Sequence, residues 1–162
     1  GTAFHDWVQR YFRAERLFDL NDLPGAVDGE LGLAGAEDLA ELQEAFVVSR
    51  WAARTPIDVE IPFDMLIGST VVRGRIDAVF GDGNGGFTVV DWKTGDPPGS
   101  SVDLRHNAIQ LGVYRLAWAA MQGVPPEAVD VAFHHVRSGR TIVPDALPGA
   151  EDLAALLAQE AA

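Results

Sequence analysis

Residues 71–95 read VVRGRIDAVFGDGNGGFTVVDWKTG. Two runs rich in β-branched and aromatic residues flank a cluster of Gly, Asp and Asn, a pattern that predicts a β-hairpin with its loop centred near Asn84. Side chains two apart in a strand share a face, so Asp91 and Lys93 lie on one face of the second strand. Folding the hairpin about Asn84 brings Asp77 opposite Asp91. The sequence therefore predicts two carboxylates and one ammonium group close together.

An acid pair of this kind is costly unless a cation or a proton offsets the repulsion. Hard carboxylate oxygens suit Mg²⁺ or Mn²⁺, although a solvent-exposed hairpin with a simple Asp–Lys ion pair would show the same residues. Lys93 is the only lysine in the chain, and the other eleven of its twelve basic residues are arginines. A compact ammonium holds a water better than a planar guanidinium does. These features favour metal-dependent chemistry over the plain ion pair.

Four short motifs extend this pattern along the chain. They are GTAFH at residues 1–5, GRID at 74–77, VVDWKTG at 89–95 and QLGVY at 110–114. In this order they resemble the RecB-family branch of the PD-(D/E)xK nuclease superfamily, which carries Gly-x-x-x-His, Gly-x-x-Asp, Asp-Tyr-Lys-Thr-Gly and Gln-x-x-x-Tyr. Trp92 stands where the family has tyrosine, and Ile76 stands where the superfamily name has proline. Neither position is expected to supply a side-chain ligand.

The resemblance implies an α/β fold with a restriction-endonuclease-like core, in which helices flank a mixed central β-sheet. It also implies a set of metal ligands: His5, Asp77, Asp91 and the backbone carbonyl of Trp92. By spacing alone, His5 is a boundary histidine at the edge of an amphipathic helix; with the resemblance it becomes a ligand, and its nitrogen shifts the preference from Mg²⁺ towards Mn²⁺. The resemblance gives catalytic roles to Asp77, Asp91, Lys93, Gln110 and Tyr114.

The function implied is a metal-dependent deoxyribonuclease that hydrolyses phosphodiester bonds. Such a domain serves helicase-nucleases in double-strand-break repair and recombination. Its DNA partner would be a single-stranded end fed by helicase domains of the same or a partner chain. Exonuclease or endonuclease behaviour and cleavage polarity stay open. Two alternatives also stay open: a catalytically silent nuclease fold that guides DNA, and a metal-dependent phosphohydrolase of small molecules, which a closed pocket would favour.

Length and composition bound these hypotheses. The chain has 162 residues, 48% of them hydrophobic, which suits one domain with a sizeable core. It has no cysteine, which excludes disulfides and a Cys-ligated iron–sulfur cluster. No apolar run approaches the ~18–20 residues of a membrane span. The sequence contains no P-loop motif, so we expect no bound nucleotide in this domain. No secretory signal is present, and the chain starts abruptly at Gly1, so we expect a single domain, residues 1–162, excised from a longer protein. The absence of cysteine fits a reducing cytoplasm.

The net charge of −12 is unusual for a DNA enzyme, because acidic surfaces repel phosphate backbones. We therefore expect other domains to hold the DNA, and the isolated chain to bind it weakly.

Hydrophobic periodicity predicts the remaining elements. Helices are predicted over 2–18, 37–53, 104–122 and 151–160, strands over 57–67, 71–80, 87–95, 128–137 and 141–143, and loops over 19–36 and 96–101. Alternation over 57–67 predicts one apolar face made of Ile57, Val59, Ile61, Phe63 and Met65. Pro62 argues for a strand that is at an edge of the sheet or bulged. For Glu60 we favour a solvated strand face over a place beside the metal site, and we interpret His106 as a surface residue and His134 and His135 as structural.

Overall fold

The computed structural model describes residues 2–16, 33–95 and 101–161. The predicted loop residues 19–32 and 96–100 lie outside this part of the chain. Within it, the helices and strands follow in the order α1 (Thr2–Arg16), α2 (Leu33–Val47), β1 (Asp58–Ile67), β2 (Thr70–Gly81), β3 (Phe87–Lys93), α3 (Ser101–Gln122), β4 (Val129–His135), β5 (Arg140–Ile142) and α4 (Ala150–Ala161).

The five strands form one sheet in the order β1-β2-β3-β4-β5. Neighbouring strands are antiparallel except β3 and β4, which are parallel and are joined by the crossover helix α3. β1 is an edge strand, as Pro62 predicted. The mixed sheet with flanking helices confirms the predicted α/β architecture.

Two apolar clusters cover the two faces of the sheet. One packs α3 and α4 against it and includes Ile61, Phe63, Ile76, Val79, Val89, Leu111, Tyr114, Trp118, Val131 and Leu153. The other packs α1 and α2 against the opposite face and includes Phe4, Val8, Phe12, Leu42, Phe46, Trp51, Ala78, Phe80, Val90 and Trp92. The catalytic candidates lie near the end of β3, where groups from both layers can reach.

The central hairpin confirms the predicted register. Ala78 pairs with Val90 and Val79 with Val89, a register that continues to Asp77 opposite Asp91. The loop closes on Asp82, whose side chain accepts hydrogen bonds from the N–H groups of Asn84 (2.7 Å) and Gly86 (2.9 Å). These bonds lower the pKa of Asp82. An acid that caps its own loop fixes the turn that aligns the two aspartates.

The prediction for β1 is wrong at its N-terminal end. Ile61, Phe63 and Met65 face the α3–α4 cluster, whereas Val59 packs on the α1–α2 side and Ile57 is exposed. Between them Glu60 has a φ of 49°, a left-handed backbone that a non-glycine residue rarely adopts. This residue rotates the strand, so the strict alternation assumed from the sequence breaks there.

The second helix also differs from its prediction. α2 begins at Leu33, inside the predicted loop, and ends at Val47, not near residue 53. After Phe46 the chain turns, and the buried indole of Trp51 donates a hydrogen bond to Thr141 Oγ1 at 3.1 Å. Residues 48–54 therefore form turns because this tertiary contact outweighs the local helical pattern.

No helix in the described ranges is both long enough and apolar enough to cross a membrane.

Candidate active site

Two buried carboxylates lie at the centre of the site. Asp77 comes from β2 and Asp91 from β3, and both are almost inaccessible to solvent. Asp77 Oδ2 accepts a hydrogen bond from the backbone N–H of Trp92 at 2.8 Å. This hydrogen bond fixes the Asp77 carboxylate of β2 to the backbone of β3, one residue beyond Asp91.

Lys93 brings a positive charge to this acid pair. Its Nζ lies 2.8 Å from Asp91 Oδ2, as expected from two residues on the same strand face. The same Nζ lies 5.0 Å from the ring centroid of Phe133, on the neighbouring strand β4. An aromatic face attracts a cation, so Phe133 helps to hold the ammonium group beside Asp91. Phe133 could not be identified from the sequence, because only the parallel pairing of β3 with β4 places its ring beside Lys93.

Helix α3 contributes the two polar residues of the QLGVY motif. Lys93 Nζ donates to Gln110 Oε1 at 3.1 Å, and Gln110 Nε2 donates to Tyr114 Oη at 2.9 Å. One turn of helix separates the two residues, so they stack on one side of α3. Burial, together with the charge of Asp91, raises the pKa of Tyr114 well above its usual range, which keeps the phenol neutral. A continuous polar chain runs from Asp91 to Tyr114.

His5 reaches the same site from the opposite layer. Its Nε2 lies 3.2 Å from Asp77 Oδ2, and its helix α1 is held to the sheet by Phe4, Val8 and Phe12. The structure therefore brings together the side chains of five predicted site residues, His5, Asp77, Asp91, Lys93 and Gln110, and joins Tyr114 to them through Gln110. Trp92 contributes its backbone to this site. Its side chain is buried against Phe46, with ring centroids 5.2 Å apart.

The electrostatics of the site favour added positive charge. Burial is the main cause that raises the pKa of Asp91, to about 7, and the charge of Asp77 raises it further while Lys93 lowers it. One lysine therefore offsets only part of the cost of two buried carboxylates. A cation or a proton at this position relieves that cost.

Glu60 is a third acid near the site, and its predicted solvent-exposed position is wrong. Its side chain is only 9% exposed and lies 3.6 Å from Arg75, measured from Oε2 to Nη1. Burial raises the pKa of Glu60, and the charge of Asp77 adds to this effect. The predicted solvated position is wrong because the left-handed backbone at Glu60 turns it away from solvent. The sequence alternates without interruption from Ile57 to Met65, so it carried no signal of this change.

The paired histidines of β4 agree with their structural interpretation. His134 is fully buried, its Nδ1 lies 3.0 Å from Thr141 Oγ1, and its ring meets Trp92 edge-on. Burial, followed by the charges of Arg50 and His135, lowers the pKa of His134 to about 4, so the ring is neutral at pH 7. His106 is exposed, as expected for a surface residue.

The donor chemistry fits a divalent ion. His5, Asp77 and Asp91 supply one nitrogen and two carboxylates, which suit Mn²⁺ or Mg²⁺. In the described residues, however, no group of three or more His, Asp or Glu side chains is arranged to hold a metal ion. Asp77 Oδ2 already contacts His5 and the Trp92 N–H, and Asp91 Oδ2 contacts Lys93. His5, Asp77 and Asp91 are nevertheless the residues that would hold such an ion.

Comparisons with known proteins agree with this fold. The mixed five-stranded sheet with flanking helices is consistent with a restriction-endonuclease-like α/β domain. The family model described as the PD-(D/E)XK nuclease superfamily matches residues 1–161, so the chain belongs to that superfamily. Members of this superfamily are nucleases, and they typically use divalent metals.

Other comparisons add less. None of the curated proteins matches the sequence. Among solved structures, the crystal structure of SSO0001 matches with 20% sequence identity and a TM-score of 0.44, over 78% of this chain and 58% of that one. The chain thus spans less than two thirds of that protein's length.

Proposed function

We propose that this chain is a divalent-metal-dependent deoxyribonuclease, the nuclease module of a larger RecB-like helicase-nuclease that processes DNA ends in repair and recombination. The observation that carries the proposal is the convergence of Asp77, Asp91 and Lys93 at the end of β3, with His5 reaching Asp77 from α1. The four motifs in RecB-family order support the narrower assignment. The cytoplasm, where such enzymes meet chromosomal DNA, is the proposed location.

When bound, a divalent ion supplies Lewis-acid activation of the phosphate and of an attacking water. His5, Asp77, Asp91 and the carbonyl of Trp92 are the proposed ligands. Lys93 carries a fixed positive charge, held by Asp91 and Gln110, that can stabilise negative charge developing on the phosphate. Gln110 orients that ammonium, and Tyr114 in turn accepts a hydrogen bond from Gln110. The proposed role of Lys93 is therefore electrostatic, through a position held by its contacts with Asp91 and Gln110.

Calorimetry with Mn²⁺ separates metal binding from chemistry. We expect the wild-type protein to bind Mn²⁺ and the Asp91→Ala variant to lose that binding. Asp130→Ala, which removes an exposed carboxylate elsewhere on β4, should bind Mn²⁺ like wild type and is the matched control. If the wild-type protein binds no Mn²⁺ and cleaves no DNA, the chain is instead a catalytically silent scaffold.

Cleavage assays then test the lysine. With Mn²⁺ and single-stranded DNA, Lys93→Ala should retain metal binding but lose cleavage by roughly 10²-fold or more, the usual cost of one electrostatic group in a phosphate-transfer site. Lys93→Arg keeps the charge but not the compact shape and should recover part of the rate. Unchanged cleavage in Asp91→Ala or Lys93→Ala would overturn the assignment.

A further inference from the structure

A cavity of about 370 Å³ lies beside the acid–lysine site. It is an open cavity lined by residues of β1, β2, α3 and α4, and much of its wall is made of apolar side chains: Phe63, Val72, Ile109, Val113 and Leu157. Gln110 and Tyr114 belong both to this cavity and to the polar chain that ends at Lys93. The cavity is therefore continuous with the candidate active site.

Aromatic rings shape one side of the cavity. Phe63 and Tyr114 meet edge to face, with ring centroids 5.8 Å apart. Gly74 makes room for this arrangement, since a Cβ at that position would lie 2.8 Å from Phe63 Cζ. The absence of a side chain at Gly74 of the GRID motif thus leaves space for the Phe63 ring in the cavity wall. Asp77 follows three residues later. A wall of this kind suits a flat ring.

Basic groups also line the cavity. Arg73 and His106 contribute to it, and both are exposed. Arg73 places a positive charge at the border of the apolar cavity. The apolar interior could take the base of a nucleotide. The arginine at the border and the neighbouring Lys93 could take its phosphate.

We propose that this cavity binds one unpaired nucleobase of single-stranded DNA, next to the phosphate that is cleaved. The proposal rests on the proposed nuclease function and adds a base-binding site to it. A base within a duplex is stacked and paired, so it can enter only after it leaves the stack. A base in a single strand can be placed against aromatic and apolar walls at lower cost. The cavity thus predicts that one base beside the cleaved phosphate contributes to recognition of the strand.

Filling the cavity is the direct test. Val72→Trp places a large ring among the cavity walls, whereas Val71→Trp adds the same ring at the neighbouring position, which is 64% exposed and does not line the cavity. His106→Trp narrows the cavity from an exposed position and serves as a second filling variant if Val72→Trp does not fold. All three retain the acid pair and Lys93.

The first readout is cleavage of a short single-stranded oligonucleotide, intact or with one abasic position moved along it. We expect loss of one particular base to slow wild-type cleavage by roughly tenfold, the scale of one stacked base. The cavity-filling variants should cleave the intact strand at that same reduced rate and no longer respond to the abasic position. Val71→Trp should behave like wild type. Equal cleavage by wild-type and cavity-filling variants would overturn the proposal.

The second readout needs neither metal nor cleavage. Saturation-transfer NMR on deoxyadenosine monophosphate, in the presence of EDTA, should show contact between the base protons and the wild-type protein and its loss in Val72→Trp. Base contact without any cleavage in Mn²⁺ would support the cavity and reject the nuclease function. Cleavage without base contact, and without an abasic effect, would support the nuclease function and reject the cavity.

Discussion

The burial of Asp91 beside Asp77 has a cost in stability. Buried carboxylates without full compensation are destabilising, and active sites commonly keep such groups. Its pKa of about 7 means that the folded protein binds a proton more tightly than the unfolded chain, in which an aspartate has a pKa near 3.8. The contribution of Asp91 to stability therefore decreases as pH rises from about 4 to about 7, and the full penalty is present above that range.

Replacing this carboxylate should stabilise the metal-free protein. We expect Asp91→Asn to raise the free energy of unfolding at pH 8, and the gain to shrink as pH falls towards 5, where the wild-type group is protonated. Urea unfolding in EDTA at several pH values measures this difference. Asp130→Asn, at an exposed position, should show no such pH dependence. A gain that does not change with pH would contradict the raised pKa of Asp91.

Glu60 combines two costs at one residue. Its backbone has a φ of 49°, and its carboxyl group is largely buried near Asp77. Left-handed backbone at a non-glycine residue is rare and is found preferentially at functional sites. The position therefore belongs with the acid site, although the sequence alone favoured solvent.

The hairpin could be predicted from the sequence because its signals are local. The Gly/Asp/Asn loop and the alternation of β2 and β3 fixed a register that placed Asp77 opposite Asp91, as observed. The twist at Glu60 and the early end of α2 could not be predicted in this way. Each depends on a contact distant in sequence, such as the hydrogen bond from Trp51 to Thr141.

Helix α1 links folding of the α1–α2 layer to the site. It carries His5. In the chain α2 lies between α1 and the hairpin, so the position of α1 relative to the hairpin depends on side-chain packing. Phe12 stacks on Trp92, with ring centroids 6.3 Å apart, next to the site strand residues Asp91 and Lys93. A second link is exposed: Arg137 contacts Asp38 and Glu41 of α2 and donates to Thr94 O. Exposed ion pairs contribute little, so the apolar packing carries most of this coupling.

Matched truncations on the two faces of the sheet test this coupling. Val8 lies in the α1–α2 cluster and Val129 in the α3–α4 cluster, and both are almost fully buried. Val8→Ala and Val129→Ala should each lower stability by about 1–3 kcal/mol, since both remove buried methyl groups. Only Val8→Ala should weaken Mn²⁺ binding, by roughly tenfold, because it loosens the helix that orients His5. Equal Mn²⁺ affinity in both variants would show that α1 does not position the proposed ligand.

At the scale of the whole molecule, charge limits how this domain meets DNA. With 24 acidic and 12 basic residues, the chain as a whole repels a phosphate backbone. Attraction is local, at Lys93 and at Arg73 beside the cavity. Under the proposed function, we therefore expect the strand to be delivered by other domains or by a partner chain.

The salt dependence of DNA binding measures how many phosphates the chain neutralises. Binding of a fluorescent single strand, followed by anisotropy in EDTA to prevent cleavage, should be weak and only shallowly salt-dependent. With two phosphates contacted, a slope of about −0.7 per phosphate predicts a loss of roughly sevenfold between ~50 and ~200 mM salt. A protein with six to ten phosphate contacts loses ~10³–10⁵-fold over the same range on duplex DNA. A steep slope would mean that a basic surface elsewhere on the chain holds the strand, and that delivery by a partner is unnecessary. Arg73→Ala should make the shallow slope shallower, whereas Arg140→Ala, an exposed arginine on β5 at the opposite edge of the sheet, should leave it unchanged.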